Sequence, residues 1–108
     1  MHRTHTCGEL TLADLGKTVT LSGWVQKSRD LGGMTFIDVR DRYGITQLTF
    51  NADDDASLRT SARELGREYV IKVTGEVIER SNKNSKISTG DIEIKVSNLE
   101  ILNAAKLP

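Results

Sequence analysis

Phe36 is an aromatic residue at a position of its predicted strand where a polar, outward-facing side chain is expected. Phe36 falls on the polar parity of its predicted strand, the parity that also holds Asp38 and Arg40. A hairpin with the following strand would put Phe36 beside Gln47 or Thr49. An aromatic ring offers a π surface for an unstacked base, and an amide can both donate and accept at a base edge. These residue types suit binding of an unstacked base, but parity alone fits better a ring that caps a barrel end or packs beneath a loop.

A basic segment could supply contacts to phosphate. Three basic residues and no acidic residue occur between positions 80 and 90, and they are Arg80, Lys83 and Lys86. Asn84 adds a short amide to this predicted loop, and a charge of +3 there would attract a nucleic-acid backbone. Solvated charged loops are common, so charge alone leaves the function open. Glu93, on the outward parity of the next strand, would repel phosphate but could accept hydrogen bonds from a guanine edge.

Groups suited to catalysis are scarce in this sequence. Both histidines, His2 and His5, occur within the first five residues. There is no nucleophile elbow, no phosphate-binding loop and no metal-ligand spacing. Cys7 has no basic neighbour closer than His5, which predicts a buried or incidental thiol rather than a reactive one. The sequence therefore predicts a binding domain with no catalytic residue, no metal and no cofactor of its own.

The composition is typical of one small folded domain. The chain has 108 residues, of which 37% are hydrophobic, and its 15 basic and 15 acidic residues give a net charge of zero. Disorder usually needs a large net charge, and no apolar run approaches the roughly 18 residues of a membrane span. Zero net charge gives no general attraction for nucleic acid, so binding would depend on a local patch. A single cysteine excludes an internal disulfide and fits a reducing, cytoplasmic location.

Apolar residues alternate along five segments, which predicts five short strands. The predicted strands span residues 18–29, 34–41, 45–51, 69–80 and 91–97. Trp24 takes the parity opposite to the core positions of the first strand, directly after Gly23, and a glycine inside a long strand often marks a bulge or bend. The alternation of the last strand changes phase near Ser97-Asn98 and continues through Leu102. The predicted core residues are Val19, Leu21, Val25, Ile37, Val39, Leu48, Phe50, Tyr69, Ile71, Val73, Val77, Ile92, Ile94 and Val96.

A helix is predicted between the third and fourth strands, over residues 53–66. Asp53 or Asp54 can cap its N-terminus, and Gly66 suits the position after its C-terminus. Its apolar stripe consists of Leu58, Ala62 and Leu65. A short helical turn is also predicted just before Gly16. Three strands, a helix and two strands match an all-β, five-stranded Greek-key OB-fold barrel, and the alternative is another small antiparallel barrel or sandwich.

Several segments of the chain resemble the N-terminal domain of bacterial-type, class IIb aspartyl-tRNA synthetases. These segments read RTHTCGEL, GWV, RDLG, FIDVRD, GITQ, TGDIE and LNAAKLP, at residues 3–10, 23–25, 29–32, 36–41, 44–47, 89–93 and 102–108. Lysyl- and asparaginyl-tRNA synthetases share the fold and part of the second and third strands. The opening segment and the RDLG segment favour the aspartyl branch.

The resemblance implies an OB-fold that binds the anticodon loop of tRNA. Phe36 would stack on the central anticodon uridine, and Gln47 would contact the edge of that base. Glu93 would contact the first anticodon base, a guanine or modified guanine, and Arg29 would contact the anticodon or its backbone. The loop residues that would hold flanking bases or phosphates are Arg80 and Asn84.

The resemblance also implies a longer parent enzyme. Members of the family activate aspartate with ATP and Mg²⁺ in a separate class II catalytic domain, transfer it to the 3′ end of tRNA, and work as homodimers. We therefore expect residues 1–17 to form a lead-in, residues 18–102 the OB-fold, and residues 103–108 the start of a hinge to the catalytic domain. A fragment of this kind would be non-catalytic and could be monomeric. A free-standing module is the alternative.

Two other functions fit the same predicted fold. A sequence-tolerant binder of single strands needs several exposed aromatic rings, but Trp24, Phe50 and Tyr69 are predicted to be structural. A protein-interaction domain would bind no RNA even at low salt, where electrostatic attraction is strongest.

Overall fold

The described part of the chain contains one short helix and five strands. The structure, a computed structural model, describes residues 3–31, 34–50, 65, 69–80, 83–87 and 89–103. The elements are a 3₁₀ helix at Leu12–Asp14 and the strands β1 (Thr18–Leu31), β2 (Met34–Asp41), β3 (Gly44–Phe50), β4 (Val70–Glu79) and β5 (Ile92–Asn103). The predicted helix over residues 53–66 lies outside the described residues, except for Leu65, which is buried.

The strands close into a barrel in the order β1-β2-β3-β5-β4. Every neighbouring pair is antiparallel except β3 and β5, which run parallel and pair only through Leu48 with Ile94 and Thr49 with Lys95. This order is that of an OB-fold, so the prediction of an all-β, five-stranded OB barrel is confirmed. Closure also protects the strand edges, which would otherwise invite pairing with other chains.

Alternate residues of each strand fill the barrel interior. Burial alternates along β2, where Ile37 and Val39 are fully buried and Phe36 between the buried positions is not. All the predicted core residues are buried, with the exception of Tyr69, which is partly buried and packs against the core. The lead-in adds Cys7 and Leu10, both fully buried. Burial of these side chains contributes the main favourable term in folding.

The lead-in forms the predicted helical turn. Thr11 caps the 3₁₀ helix, because its hydroxyl oxygen accepts a hydrogen bond from the Ala13 N–H. The Thr11 N–H in turn donates to Oδ2 of Asp14 at 2.9 Å, which completes a capping box. Gly16 ends the turn with a φ of 85°, a left-handed conformation that favours glycine. The lead-in is thereby directed into β1.

A bulge in β1 decides which side chains face outward. The register against β2 shifts at Gln26, so that Val25 pairs with Val39 but Arg29 pairs with Phe36. Simple alternation from the buried Val25 would turn Arg29 into the core. The extra residue reverses the parity and places Arg29 on the outer face of the barrel. The irregularity expected at Gly23 therefore lies later in the strand, at Gln26.

A second bulge lies in β5. Gly75 pairs with Val96 and Thr74 pairs with Asn98, which leaves Ser97 as the extra residue. The Ser97 hydroxyl donates to the carbonyl of Thr74 at 3.1 Å. The predicted change of phase near Ser97-Asn98 is confirmed, and the bulge keeps Leu99 packed against the core.

Candidate nucleic-acid interface

A groove of about 560 Å³ lies along the outer face of β1, β2 and β3. All six side chains predicted to contact nucleic acid line it, and they are Arg29, Phe36, Gln47, Arg80, Asn84 and Glu93. They come from β1, β2, β3, β5 and the loop that follows β4. The barrel topology brings them together, because β3 lies between β2 and β5.

Phe36 lines the groove from β2, the middle of the three strands. It pairs with Thr49 on β3, one of the two partners that the hairpin interpretation predicted, and with Arg29 on β1. Its side chain is only partly buried, whereas Ile37 next to it is fully buried. The ring is therefore available for stacking on a base.

Four polar side chains form a continuous hydrogen-bonded row beside this ring. Arg29 donates from Nη1 and Nη2 to the two carboxylate oxygens of Asp38, at 3.2 and 3.3 Å. Its Nη2 also donates to Oε1 of Gln47 at 2.8 Å. Nε2 of Gln47 in turn donates to Oε1 of Glu93 at 2.8 Å. Both ends of the Gln47 carboxamide are thus held, and the residue is only 6% exposed although it lines the groove.

The described part of the loop after β4 is bonded to β3 and lines the groove through Asn84, Lys86 and Ile87. The Thr89 hydroxyl donates to the carbonyl of Ile45, and the Asn84 N–H donates to the carbonyl of Gly90 at 2.9 Å. Oδ1 of Asn84 accepts from the Lys86 N–H at 3.0 Å. The side-chain oxygen of Asn84 is therefore engaged within the loop, and its amide hydrogens are the part that can meet a ligand.

The positive charge of the groove is smaller than the sequence indicated. Lys83 forms an ion pair with Glu79 at 2.6 Å, so it adds little to the expected charge of +3. Among the described residues, Arg80 and Lys86 line the groove without an ion pair, and the buried Nε of Arg80 has no hydrogen-bond partner. Glu93 contributes the opposing charge. The groove has a modest positive character, because the carboxylates of Asp38, paired with Arg29, and Glu93 also line it.

Six further residues line the groove, namely Gln26, Met34, Asp38, Ile45, Lys86 and Ile87. The outer parity of β2 and β3 could have identified Met34, Asp38 and Ile45. Gln26 lies at the bulge, and Ile87 depends on how the loop folds back, so alternation gives no indication of either.

Cys7 lies outside this groove and is fully buried, as predicted. Burial, followed by the nearby Asp41 carboxylate, raises the pKa of its thiol well above the ordinary value. The thiol is therefore protonated at neutral pH and unsuited to nucleophilic attack. Within the described ranges, no group of three or more His, Cys, Asp or Glu residues could hold a metal ion. No helix in that part of the chain is long and apolar enough to cross a membrane.

Comparison with known proteins assigns this barrel to a class. Residues 19–102 match the tRNA anti-codon family, described as an OB-fold nucleic acid binding domain. The chain belongs to this family of OB-fold nucleic-acid-binding domains.

Within the class, the resemblance to aspartyl-tRNA synthetases is confirmed. The aspartate–tRNA ligase of Parabacteroides distasonis is 64% identical over 108 residues, which are 100% of this chain and 18% of the ligase. The chain thus spans less than a fifth of the length of this relative.

Two solved structures share the fold over nearly the whole chain. The asparaginyl-tRNA synthetase from Pyrococcus horikoshii, complexed with asparaginyl-adenylate, superimposes with a TM-score of 0.82 at 29% identity, covering 97% of this chain and 23% of that chain. OBody AM2EP06, bound to hen egg-white lysozyme, superimposes with a TM-score of 0.85 at 29% identity, covering 97% of each chain.

Proposed function

We propose that this chain recognises the anticodon loop of a tRNA as the N-terminal domain of an aspartate–tRNA ligase. One observation supports the proposal: the six residues to which the family resemblance assigns anticodon contacts come from separate parts of the sequence and line a single groove. The groove combines an available ring, edge-reading polar groups and a modest positive charge. This combination suits a short single-stranded loop better than a duplex.

The central anticodon base is the one that Phe36 and Gln47 would bind. A uracil stacked on the Phe36 ring would gain about 1–3 kcal/mol from stacking. Stacking does not distinguish bases, so the choice of uracil falls to the carboxamide of Gln47 at the base edge.

The first anticodon base would meet Glu93. A carboxylate accepts hydrogen bonds only, and the guanine edge offers the donors of N1–H and the 2-amino group. Because Oε1 of Glu93 already accepts from Gln47, Oε2 is the oxygen left for the base. Arg29 would contact the anticodon or its backbone with the donors not used by Asp38 and Gln47. Arg80 and the Asn84 amide would hold flanking bases or phosphates.

The parent enzyme in this proposal carries out ATP-dependent aspartylation of tRNA in the cytoplasm as a homodimer. ATP and Mg²⁺ would bind in a class II catalytic domain outside this chain, and the fragment itself would be a non-catalytic monomer without a cofactor. Residues 1–17 would be the lead-in, 18–102 the OB-fold with its helix after β3, and 103–108 the start of the hinge.

The test is a titration of the folded domain with two anticodon stem-loops, one carrying guanine-uracil-cytosine and one with the central base changed. Amide chemical shifts report the binding. We expect a clear preference for the uracil loop, and a loss of affinity in Phe36→Ala of roughly five- to 150-fold, equivalent to the stacking energy. Tyr43→Ala is the matched control, because Tyr43 is an aromatic residue, 55% exposed, outside the groove.

The outcome that contradicts the proposal is equally definite. Equal, weak binding of both loops would leave only an electrostatic OB module of the single-strand-binding kind. Unchanged affinity in Phe36→Ala, with the native fold verified by amide shifts, would remove the stacking role from Phe36. No binding at low salt would favour a protein-interaction domain.

A further inference from the structure

The carboxamide of Gln47 is held in one orientation by the chemistry of its two neighbours. Its Oε1 faces the guanidinium of Arg29 at 2.8 Å, and its Nε2 faces the carboxylate of Glu93 at 2.8 Å. A guanidinium only donates hydrogen bonds and a carboxylate only accepts them. Rotating the carboxamide by half a turn would oppose donor to donor at Arg29 and acceptor to acceptor at Glu93. Such a turn would lose both bonds in a nearly buried site.

Asp38 holds Arg29 in the position that this arrangement requires. Its two oxygens accept from both terminal nitrogens of Arg29, at 3.2 and 3.3 Å, which fixes the plane of the guanidinium. Asp38 pairs directly with Gln47 in the register of β2 and β3, but the structure shows no hydrogen bond between their side chains. The Arg29 side chain is 32% exposed, so without Asp38 it has room to turn away from Gln47.

The fixed orientation distinguishes the two pyrimidines. After its bonds to Arg29 and Glu93, the carboxamide keeps one N–H on Nε2 and one lone pair on Oε1. Uracil presents N3–H beside the O4 acceptor, which complements that pair of groups. Cytosine presents the N3 acceptor beside the 4-amino donor, so it would complement only the reversed carboxamide.

We propose that Asp38 is a positioning residue which, through Arg29, holds the Gln47 carboxamide in the orientation that accepts uracil and rejects cytosine. This inference rests on the proposed function, since it requires a pyrimidine edge to meet Gln47. Asp38 itself does not touch the base. Its effect is on the choice between bases rather than on stacking or phosphate contacts.

The experiment measures Kd for two anticodon stem-loops that differ only in a central uracil or cytosine. We expect the native chain to prefer uracil by at least about tenfold, as for a site with two directional hydrogen bonds. Asp38→Ala should reduce the uracil preference by about threefold or more, because only the bond to Glu93 then opposes the reversed carboxamide. In a Gln47→Ala background, Asp38→Ala should leave the ratio of the two Kd values unchanged.

The matched control is Asp30→Asn. Asp30 lies on β1 next to Arg29 and accepts a hydrogen bond from the Thr35 hydroxyl at 2.7 Å. Among the described residues, its side chain has no hydrogen bond to Arg29, Asp38, Gln47 or Glu93. This variant should keep the native preference for uracil. Should Asp38→Ala fail to fold, Asp38→Asn replaces it, and the Nε2 amide resonances of Gln47 report whether the carboxamide has been released.

Each outcome is decisive. An unchanged uracil preference in the Asp38 variant, or an equal loss of affinity for both loops, overturns the positioning role while the proposed function stands. Failure of the native chain to bind either loop overturns the proposed function, and the inference with it. Loss of selectivity in Asp38→Ala but not in Asp30→Asn supports both.

Discussion

Cys7 is a buried titratable group whose surroundings affect stability rather than binding. Its N–H donates to Oδ2 of Asp41 at 2.9 Å, and its carbonyl accepts from the Thr46 hydroxyl at 2.7 Å. These bonds attach the lead-in to the end of the β2–β3 hairpin. Burial and the neighbouring carboxylate of Asp41 keep the thiol protonated in the folded state.

The raised pKa of Cys7 predicts a loss of stability in alkaline solution. Above the ordinary thiol pKa of 9.0, the unfolded chain ionises Cys7 while the folded chain keeps the proton. Stability is therefore fully present below pH 9 and falls as the pH rises, by roughly 1 kcal/mol at pH 10. Urea unfolding at pH 7 and pH 10 measures this loss, and Cys7→Ala should lack this part of it. An identical pH dependence in the variant would contradict the prediction.

At the scale of elements, the conformation of the described loop residues after β4 requires a residue without a side chain at position 90. A Cβ at Gly90 would clash with the carbonyl oxygen of Asn84, so the loop backbone would have to move. We expect Gly90→Ala to cost about 1–3 kcal/mol of stability and to weaken binding of the anticodon stem-loop. The displaced loop carries Asn84 and Lys86, whereas the barrel core is untouched.

Gly16→Ala is the control for this loop variant. Gly16 has a φ of 85°, and no described atom lies within 4 Å of a Cβ added there. Its replacement should cost about 1–2 kcal/mol through backbone strain alone and leave RNA affinity unchanged. Urea unfolding and the stem-loop titration measure both effects. Native affinity in Gly90→Ala would show that the loop makes no contact with the RNA.

The same elements show how far the sequence predicts the fold and the site. Alternation alone placed Phe36, Gln47 and Glu93 on the outer face, because each follows simple parity from its buried neighbours. Alternation could not place Arg29 on the outer face, because the bulge at Gln26 reverses its parity and a bulge has no fixed residue pattern. The hydrogen bond between Gln47 and Glu93 depends on the parallel contact of β3 and β5, which no local pattern reveals.

At the scale of the whole molecule, the charge distribution predicts weak dependence on salt. The chain has no net charge, and two cations without ion pairs among the described residues line the groove. Two phosphate contacts give a slope of about −1.4 for log K against log salt concentration with single-stranded RNA. We therefore expect the affinity for the stem-loop to fall less than about tenfold between 50 and 200 mM salt. Titrations across this range measure the slope, and a value near −4 would indicate binding dominated by phosphate.

Of the strand pairings in the described barrel, the one between β3 and β5 is the shortest. It consists of two residue pairs, and the side-chain bond from Gln47 to Glu93 lies one position before them. We expect local opening of the sheet to begin at this pairing, because it has the fewest backbone hydrogen bonds. In the proposed complex the anticodon bases contact Gln47 and Glu93. Binding therefore stabilises the state in which β3 and β5 are paired, because RNA binds that state and not the open one. The amide hydrogens of β3 and β5 would then exchange more slowly in the RNA-bound domain than in the free domain. The same side chains, Gln47 and Glu93, would serve both base recognition and resistance to local unfolding.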